Sequence, residues 1–319
     1  MTDAVRDKVV LITGPARGIG AETARLLASR GARLALVGLE PERLRTLAQE
    51  LGAGHAWFEC DVTDQASLVR ATEGVVAALG GIDVVIANAG IASNGTVAVT
   101  PIEALVRVIE VNLTGVVRTV SATLPHVTAR RGYYLLISSA AALAAMPGLA
   151  AYAAAKSGVE QFANALRLEV AYKGVAVGSA HPCWIDTDLV RDARRDLDAF
   201  DRLLRRLPGP FGAVTSVQEC AVALVRGISG RKRKVYVPKS LAAAAALRRF
   251  FSSRLAEWIL GRDARRLLPA LERARSPRWD ARSASTAWRR PATHRGRRTA
   301  ASRVLKRCPS AARARDTHP

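Results

Sequence analysis

The first 240 residues of the chain alternate short apolar runs with longer stretches whose apolar positions recur every three or four residues. The runs are Val9-Val10-Leu11-Ile12, Leu34-Ala35-Leu36-Val37, Val84-Val85-Ile86-Ala87, Tyr134-Leu135-Leu136-Ile137, Val175-Ala176-Val177 and Val235-Tyr236-Val237. Polar residues hardly interrupt them, which suits strands covered on both faces, as in a parallel sheet. Residues 21–29, 42–51 and 66–79 have helical spacing instead. Strand and helix in repeated alternation, joined by right-handed crossovers, predict an α/β fold with a doubly wound parallel sheet. Such a sheet binds its ligand beyond the carboxyl ends of its strands, so the residues that follow each run are where chemistry is sought.

Past Val237 the pattern changes. Residues 241–275 are rich in Ala, Leu and Arg and read as an amphipathic helical extension. Residues 276–319 hold 12 basic and 2 acidic residues with few aliphatics, too little apolar surface to offset the entropy of ordering, and a disordered basic tail is expected. The main domain is therefore read as residues 1–240. Charge sharpens this division. The formal net charge is +21, yet residues 1–225 hold 22 Lys and Arg against 22 Asp and Glu, while residues 226–319 hold 26 against 5. A neutral main domain argues against nucleic acid as its partner. The four cysteines, 60, 183, 220 and 308, show no metal-site or disulfide spacing, so no metal is expected. Arg6-Asp7-Lys8 precedes the first apolar run, no signal peptide is recognisable, and a reducing cytoplasm fits.

Two segments carry candidate chemistry. The first run leads into Thr13-Gly14-Pro15-Ala16-Arg17-Gly18-Ile19-Gly20. Glycines there permit a tight strand-to-helix turn and close approach of a diphosphate, and the following helix offers unpaired N–H groups and the positive end of its dipole. Taken alone, such a turn is as compatible with an ordinary connection as with dinucleotide binding. The run ending at Ile137 leads into Ser138-Ser139, followed by Tyr152 and, four residues on, Lys156. On a helix the last two share one face. A phenol with a pKa near ~10 is a poor base at neutral pH, and a neighbouring ammonium would draw that value down. By itself the pair also matches a surface i,i+4 contact.

Together these segments resemble the short-chain dehydrogenase/reductase family over roughly residues 6–240. The glycine turn is similar to its TGxxxGxG fingerprint. Asn88-Ala89-Gly90 resembles its NAG motif, and Cys60-Asp61-Val62 its adenine-contacting segment. Ser139, Tyr152 and Lys156 match its active-site spacing. Val111-Asn112-Leu113 matches the helix that supplies its fourth residue, an Asn whose backbone carbonyl holds a water linking the lysine to solvent. Asp61 and Asn112, read singly, also fit helix-capping or helix-bending roles. The stretch from His181 to Asp188 resembles the family's Pro-Gly-x-x-x-Thr, with Cys183 in place of the glycine and Thr187 in place of the carboxamide-binding threonine. His181, before Pro182 at a strand end, is read as structural.

The resemblance implies a Rossmann-like fold and an NAD(P)-dependent oxidoreductase moving a hydride between nicotinamide and an alcohol or carbonyl compound. Asn112, Ser139, Tyr152 and Lys156 would be catalytic. The cofactor would be bound by Gly14, Arg17, Gly18, Ile19, Gly20, Asp61, Val62, Asn88, Ala89, Gly90, Tyr152, Lys156 and Thr187. Tyr152 would act as acid and base, Ser139 would steady the oxyanion, Lys156 would hold the ribose and tune Tyr152, and Asn112 would complete the proton path. The choice of cofactor turns on Val37-Gly38-Leu39-Glu40. No acid stands at Gly38, no Arg at Leu39, and Glu40 is expected to turn outwards, while Arg17 could meet a 2′-phosphate. The balance tips to NADP.

Residues 189–215 correspond to the family's substrate lid, and Phe200, Leu203, Leu204, Leu207, Pro208 and Phe211 either face a hydrophobic substrate or pack the lid on the core. Residues 240–275 mix aromatics and arginines, which fits peripheral contact with an anionic membrane or a cover over the oligomer or lid. A homo-oligomer is implied by the family. The competing reading is a non-catalytic NAD(P)-binding or nucleic-acid-binding protein that uses its basic tail.

Overall fold

Each of the six apolar runs falls in a strand of one seven-stranded sheet. The structure, a computed structural model, describes residues 4–92, 95–144, 147–188, 190–191, 212, 214–247 and 272. The expected lid side chains from Phe200 to Phe211, the aromatic and arginine residues of the extension, and the tail 276–319 lie outside the described residues.

Among the described residues the order is β1 (Val9–Thr13), α1 (Gly18–Ser29), β2 (Arg33–Gly38), α2 (Pro41–Leu51), β3 (Ala56–Glu59), α3 (Gln65–Leu79), β4 (Val84–Ala87) and α4 (Ile102–Ile109). A π-helical turn, Glu110–Thr114, joins α4 to α5 (Gly115–Ala129). Then come β5 (Tyr133–Ile137), α6 (Ala150–Val170), β6 (Ala176–Pro182), β7 (Trp184–Ile185), β8 (Val214–Thr215), α7 (Val217–Ser229), β9 (Lys234–Val237) and α8 (Leu241–Ala246). The large sheet runs β3-β2-β1-β4-β5-β6-β9 with every neighbouring pair parallel, and β7 and β8 form a separate parallel pair. The doubly wound, Rossmann-like α/β fold is therefore the observed one. Its strand order reverses between β1 and β4, which opens a crevice at their carboxyl ends.

Burial explains why the apolar runs are continuous. Val10, Ile12, Leu34, Leu36, Ile86 and Leu135 join one cluster with Leu27 of α1 and Leu224 of α7. The alternate residues face the other way, where the Tyr134 hydroxyl lies 2.9 Å from Thr123 Oγ1 of α5. With both faces covered, neither can be polar.

Three boundaries differ from the sequence reading. Strand β3 has no continuous apolar run because it is an edge strand with only half-buried or exposed side chains. Strand β6 reaches Pro182 because Ser179 and His181 are fully buried despite being polar. Helix α1 starts at Gly18, three residues early, so its first turn lies within the glycine segment. Helix α8, the first turns of the expected extension, packs Leu241 and Ala244 against Ala140. No helix among the described residues is long and apolar enough to cross a membrane, and nothing in them supports the expected membrane contact.

Candidate active site

The turn after β1 is held against the turn after β4. Thr13 Oγ1 accepts from the backbone N–H groups of Asn88 and Ala89 at 3.0 and 3.1 Å, and Asn88 Nδ2 donates to the carbonyls of Thr13 and Gly14 at 3.1 and 3.0 Å. Gly14 has φ +65°, and a Cβ there would lie 2.8 Å from the Ala89 Cα, so a side chain is excluded by conformation and by space. A Cβ on Gly18 would meet Thr187 Cγ2 at 3.2 Å, so Thr187 sits directly over the glycine turn. Helix α1 begins there with no side-chain cap and no acidic residue in its first turn. By contrast α3 is capped by Asp64, and α7 by the reciprocal Ser216–Glu219 box. Uncapped N–H groups beside side-chain-free backbone form a cradle that suits a diphosphate.

Arg17 stands at the start of α1, and its guanidinium pairs with the Glu40 carboxylate. Glu40 is therefore not turned outwards as the sequence suggested. The positive charge of Arg17, at the helix start, draws it back across the end of β2. Asp61 lies just beyond β3, where its Oδ1 accepts from the Thr63 N–H and hydroxyl at 2.8 and 2.7 Å. Burial pushes its carboxyl up, but the Thr63 hydrogen bonds and the Arg107 charge outweigh it and hold it below the ordinary value. Val62 packs its side chain towards Gly115 of α5.

The second half of the site gathers at Gly90. A Cβ there would lie 2.7 Å from Asn112 Oδ1 and 3.5 Å from Lys156 Nζ, so both polar groups converge on one point above the glycine. The π-helical turn contains Asn112, whose Nδ2 donates to the carbonyls of Ile91 and Val108 at 2.8 and 2.9 Å. Its Oδ1 is buried with no hydrogen-bond partner. Lys156 is buried and donates to the Ile137 carbonyl at 2.9 Å, while Ser138 Oγ donates to the Lys156 carbonyl at 2.8 Å and ties α6 to the end of β5.

The chain belongs to the short-chain dehydrogenase/reductase family. A family model described as short chain dehydrogenase matches residues 8–198. A Bos taurus protein named 3-oxoacyl-[acyl-carrier-protein] reductase is 33% identical over 221 residues, 69% of this chain and 91% of that one. The putative oxidoreductase SadH of Mycobacterium tuberculosis is 36% identical over 257 residues, 77% of this chain and 91% of its own. Trans-4-hydroxycyclohexanecarboxylate dehydrogenase of Sinomonas cyclohexanicum is 33% identical over 204 residues, 61% and 79% of the two chains. As a short-chain dehydrogenase/reductase the protein is an NAD(P)-dependent oxidoreductase of CH–OH and carbonyl groups, and the reading as a non-catalytic binder falls away.

In this dehydrogenase Tyr152 and Lys156 lie on the same side of α6, with Lys156 Nζ 5.7 Å from the centre of the Tyr152 ring. Burial nevertheless raises the Tyr152 phenol above its ordinary value; a hydrogen bond with Ser139 opposes this and the neighbouring Cys183 adds to it. The sequence suggested that the ammonium would draw the phenol down. Desolvation wins, and it acts on the lysine too, lowering Lys156 to about 8. Ser139, beyond β5, accepts from the Ala141 N–H at 3.1 Å and donates to the Pro182 carbonyl at 3.5 Å. Two contributors escaped sequence reasoning. Ser138 was passed over beside Ser139, and Cys183 drew notice only as a missing glycine. Neither has a local signal, because their partners are 18 or more residues away.

Proposed function

We propose that Tyr152 carries the proton to and from the oxygen of an apolar alcohol or carbonyl compound, with Ser139 holding that oxygen. One observation carries this reading. The Ser139-bonded phenol lies over a buried lysine that no carboxylate among the described residues pairs with and whose Nζ sits over Gly90. A nicotinamide held here would supply the hydride chemistry. Gly14, Arg17, Gly18, Ile19 and Gly20, with the uncapped start of α1, would hold the diphosphate. Asp61 and Val62 would border the adenine, Asn88, Ala89 and Gly90 would support its sugar, and Thr187 would hold the carboxamide.

In oxidation Tyr152 takes the hydroxyl proton while Ser139 donates to the oxygen, so charge building there meets a fixed donor. Lys156 would favour the phenolate once cofactor is bound, and Asn112 would hold, through its backbone carbonyl, the water that returns the proton to solvent. Tyr152→Phe removes the proton carrier and keeps the ring. Turnover is expected to fall by roughly 10²–10⁴-fold while reduced-cofactor binding, read by fluorescence, stays within a few-fold. Unchanged turnover in that variant overturns the reading.

The substrate is read as apolar because Cys183, a neighbour of the phenol, packs on an apolar cluster of Ala140, Leu241 and Ala244. Two relatives fit this by name, one a reductase of 3-oxoacyl groups and one a dehydrogenase of a ring alcohol. Turnover of sugars, with none of hydrophobic alcohols, would refute it. NADP is the preferred cofactor in this reading, with Arg17 facing the 2′-phosphate and Glu40 tempering the preference. A homo-oligomer is favoured by Ile102, Val106 and Ile109, exposed on α4, and Val117, exposed on α5. Val106→Glu is expected to lower the mass seen by sedimentation, and an unchanged mass argues against pairing through this face.

A further inference from the structure

Behind Ser139, on the side away from the glycine turn, lies a buried polar cluster that the reaction as described does not use. Alternate residues of β6 and β9 face α6. In β6 these are Ser179 and His181, and in β9 Lys234 and Tyr236, paired across the ladder as Ser179 with Lys234 and His181 with Tyr236. Glu160 of α6 meets them. Lys234 Nζ donates to Glu160 Oε1 at 2.6 Å, and that oxygen lies 3.9 Å from His181 Nε2. Ser179 Oγ is 3.0 Å from the same Nε2, the Tyr236 ring packs on the imidazole with centroids 5.2 Å apart, and His181 is fully buried.

The other ring nitrogen reaches the site. His181 Nδ1 lies 3.3 Å from the backbone carbonyl of Ser139. A carbonyl oxygen only accepts, so this contact requires the proton on Nδ1. Strand pairing gives out one residue earlier, where the Ser138 N–H donates to the Ala180 carbonyl at 2.8 Å. Beyond it the Ser139 peptide is held by two contacts, the Ala142 N–H donating at 3.1 Å and His181. The first belongs to the tight turn itself. The second ties the Ser139 carbonyl to the neighbouring strand, on which the Ser139 hydroxyl also meets the Pro182 carbonyl at 3.5 Å.

We infer that His181 is a positioning residue, whose Nδ1–H, fixed by the Ser179 hydroxyl donating to Nε2, sets where Ser139 presents its hydroxyl. The inference rests on the reading of Ser139 as the group that holds the substrate oxygen. It assigns a function to a histidine that local sequence offers only as a strand-end residue before proline. Ser179 acts through the ring, since a hydroxyl that donates to Nε2 leaves the proton on Nδ1, which faces Ser139, while Lys234 takes up the Glu160 carboxylate that would otherwise draw a proton to Nε2.

The test has a spectroscopic arm and a kinetic arm. In ¹⁵N-histidine-labelled, cofactor-free protein, two-bond ¹H–¹⁵N spectra report the protonation of each ring nitrogen, and His181→Asn assigns the His181 signals by their loss. Nδ1 of His181 is expected to be protonated at pH 7, and an unprotonated Nδ1 overturns the inference. In the kinetic arm His181→Asn keeps a donor near the Nδ1 position and His181→Gln one near the Nε2 position. With 4-hydroxycyclohexanecarboxylate and 3-hydroxyacyl thioesters as probes, kcat is expected within about threefold of the parent for Asn and roughly ten- to a hundredfold lower for Gln. Reduced-cofactor affinity should be equal in both. A role confined to packing would lower kcat alike in the two, and equal kcat values overturn the inference. Ser139→Ala, run alongside, separates the failures. If it turns over like the parent, the reading of Ser139 is wrong; if it loses turnover while Asn and Gln match, only the role of His181 is lost. Should Gln not fold, Ser179→Ala, which frees the Nε2 side, is expected to weaken the protonated Nδ1 signal, and an unaltered signal counts against the relay.

Discussion

Helix α6 carries two buried ionisable side chains one turn apart, Lys156 and Glu160, and the fold treats them in opposite ways. Glu160 receives Lys234 from β9 at 2.6 Å and has His181 at 3.9 Å. Lys156 has a backbone carbonyl at 2.9 Å and, among the described residues, no carboxylate that offsets its burial, which lowers its pKa to about 8. A buried charge without a partner costs stability, and nothing in the packing of α6 calls for one. A paired charge away from the glycine turn is what structure requires, and an unpaired one beside the phenol is what proton transfer requires. The difference is what the proposed role of Lys156 rests on.

Removing the lysine should break the comparison most sharply. Lys156→Met is expected to cut kcat by roughly 10²-fold or more and yet to unfold at a higher urea concentration than the parent near pH 7. The sign follows from linkage. Lys156 binds its proton with a pKa near 8 in the folded chain against 10.5 ordinarily, so between those values the unfolded chain holds more protons. The parent should therefore gain stability as pH rises from about 8 to 10.5, by on the order of 3 kcal/mol at most, and the advantage of the Met variant should shrink over that window. A constant gap between the two melts would mean that Lys156 is not held as an unpaired ammonium.

Glu160→Gln probes the other partner. It leaves Lys234, about a quarter exposed, without its acid, and a loss of roughly 1–3 kcal/mol in urea unfolding is expected, with cofactor affinity unchanged. A variant as stable as the parent would make the pair no more than an exposed contact. The smallest effects belong to Arg17 and Glu40, both partly exposed. Arg17→Ala should weaken NADP binding and Glu40→Gln strengthen it, each roughly three- to tenfold, with NAD affected less. Equal shifts for the two cofactors would show that neither residue reads the 2′-phosphate.

The glycine turn and the Ser139, Tyr152 and Lys156 set were legible in the sequence because each depends on residue type at a fixed local offset. Gly14 is confined by its own backbone, and Tyr152 and Lys156 meet through helical periodicity. The strands were legible where both faces are covered. What was not legible depends on distant partners. Edge strand β3 is recognised by its pairing with β2, and the π turn at Asn112 by the neighbours that it meets. Glu40 turns inwards because Arg17, 23 residues earlier, attracts it. His181 looked like a strand-end residue because Glu160 and Lys234 are brought to it only by the β6–β9 ladder and α6. The direction of the Tyr152 shift was misread for a related reason: spacing predicts the neighbour, whereas desolvation depends on everything packed around both.

The central claim is that one phenol ionises when the site is filled although the empty protein holds it protonated. The direct measurement is the ultraviolet difference titration of the parent against Tyr152→Phe, with and without saturating oxidised cofactor. The account predicts ionisation above the ordinary phenol range without cofactor and a clear fall towards neutrality with it, because the positive charge of an oxidised nicotinamide would favour the phenolate. A phenol whose ionisation does not move on loading, in an enzyme that still turns over, would contradict it.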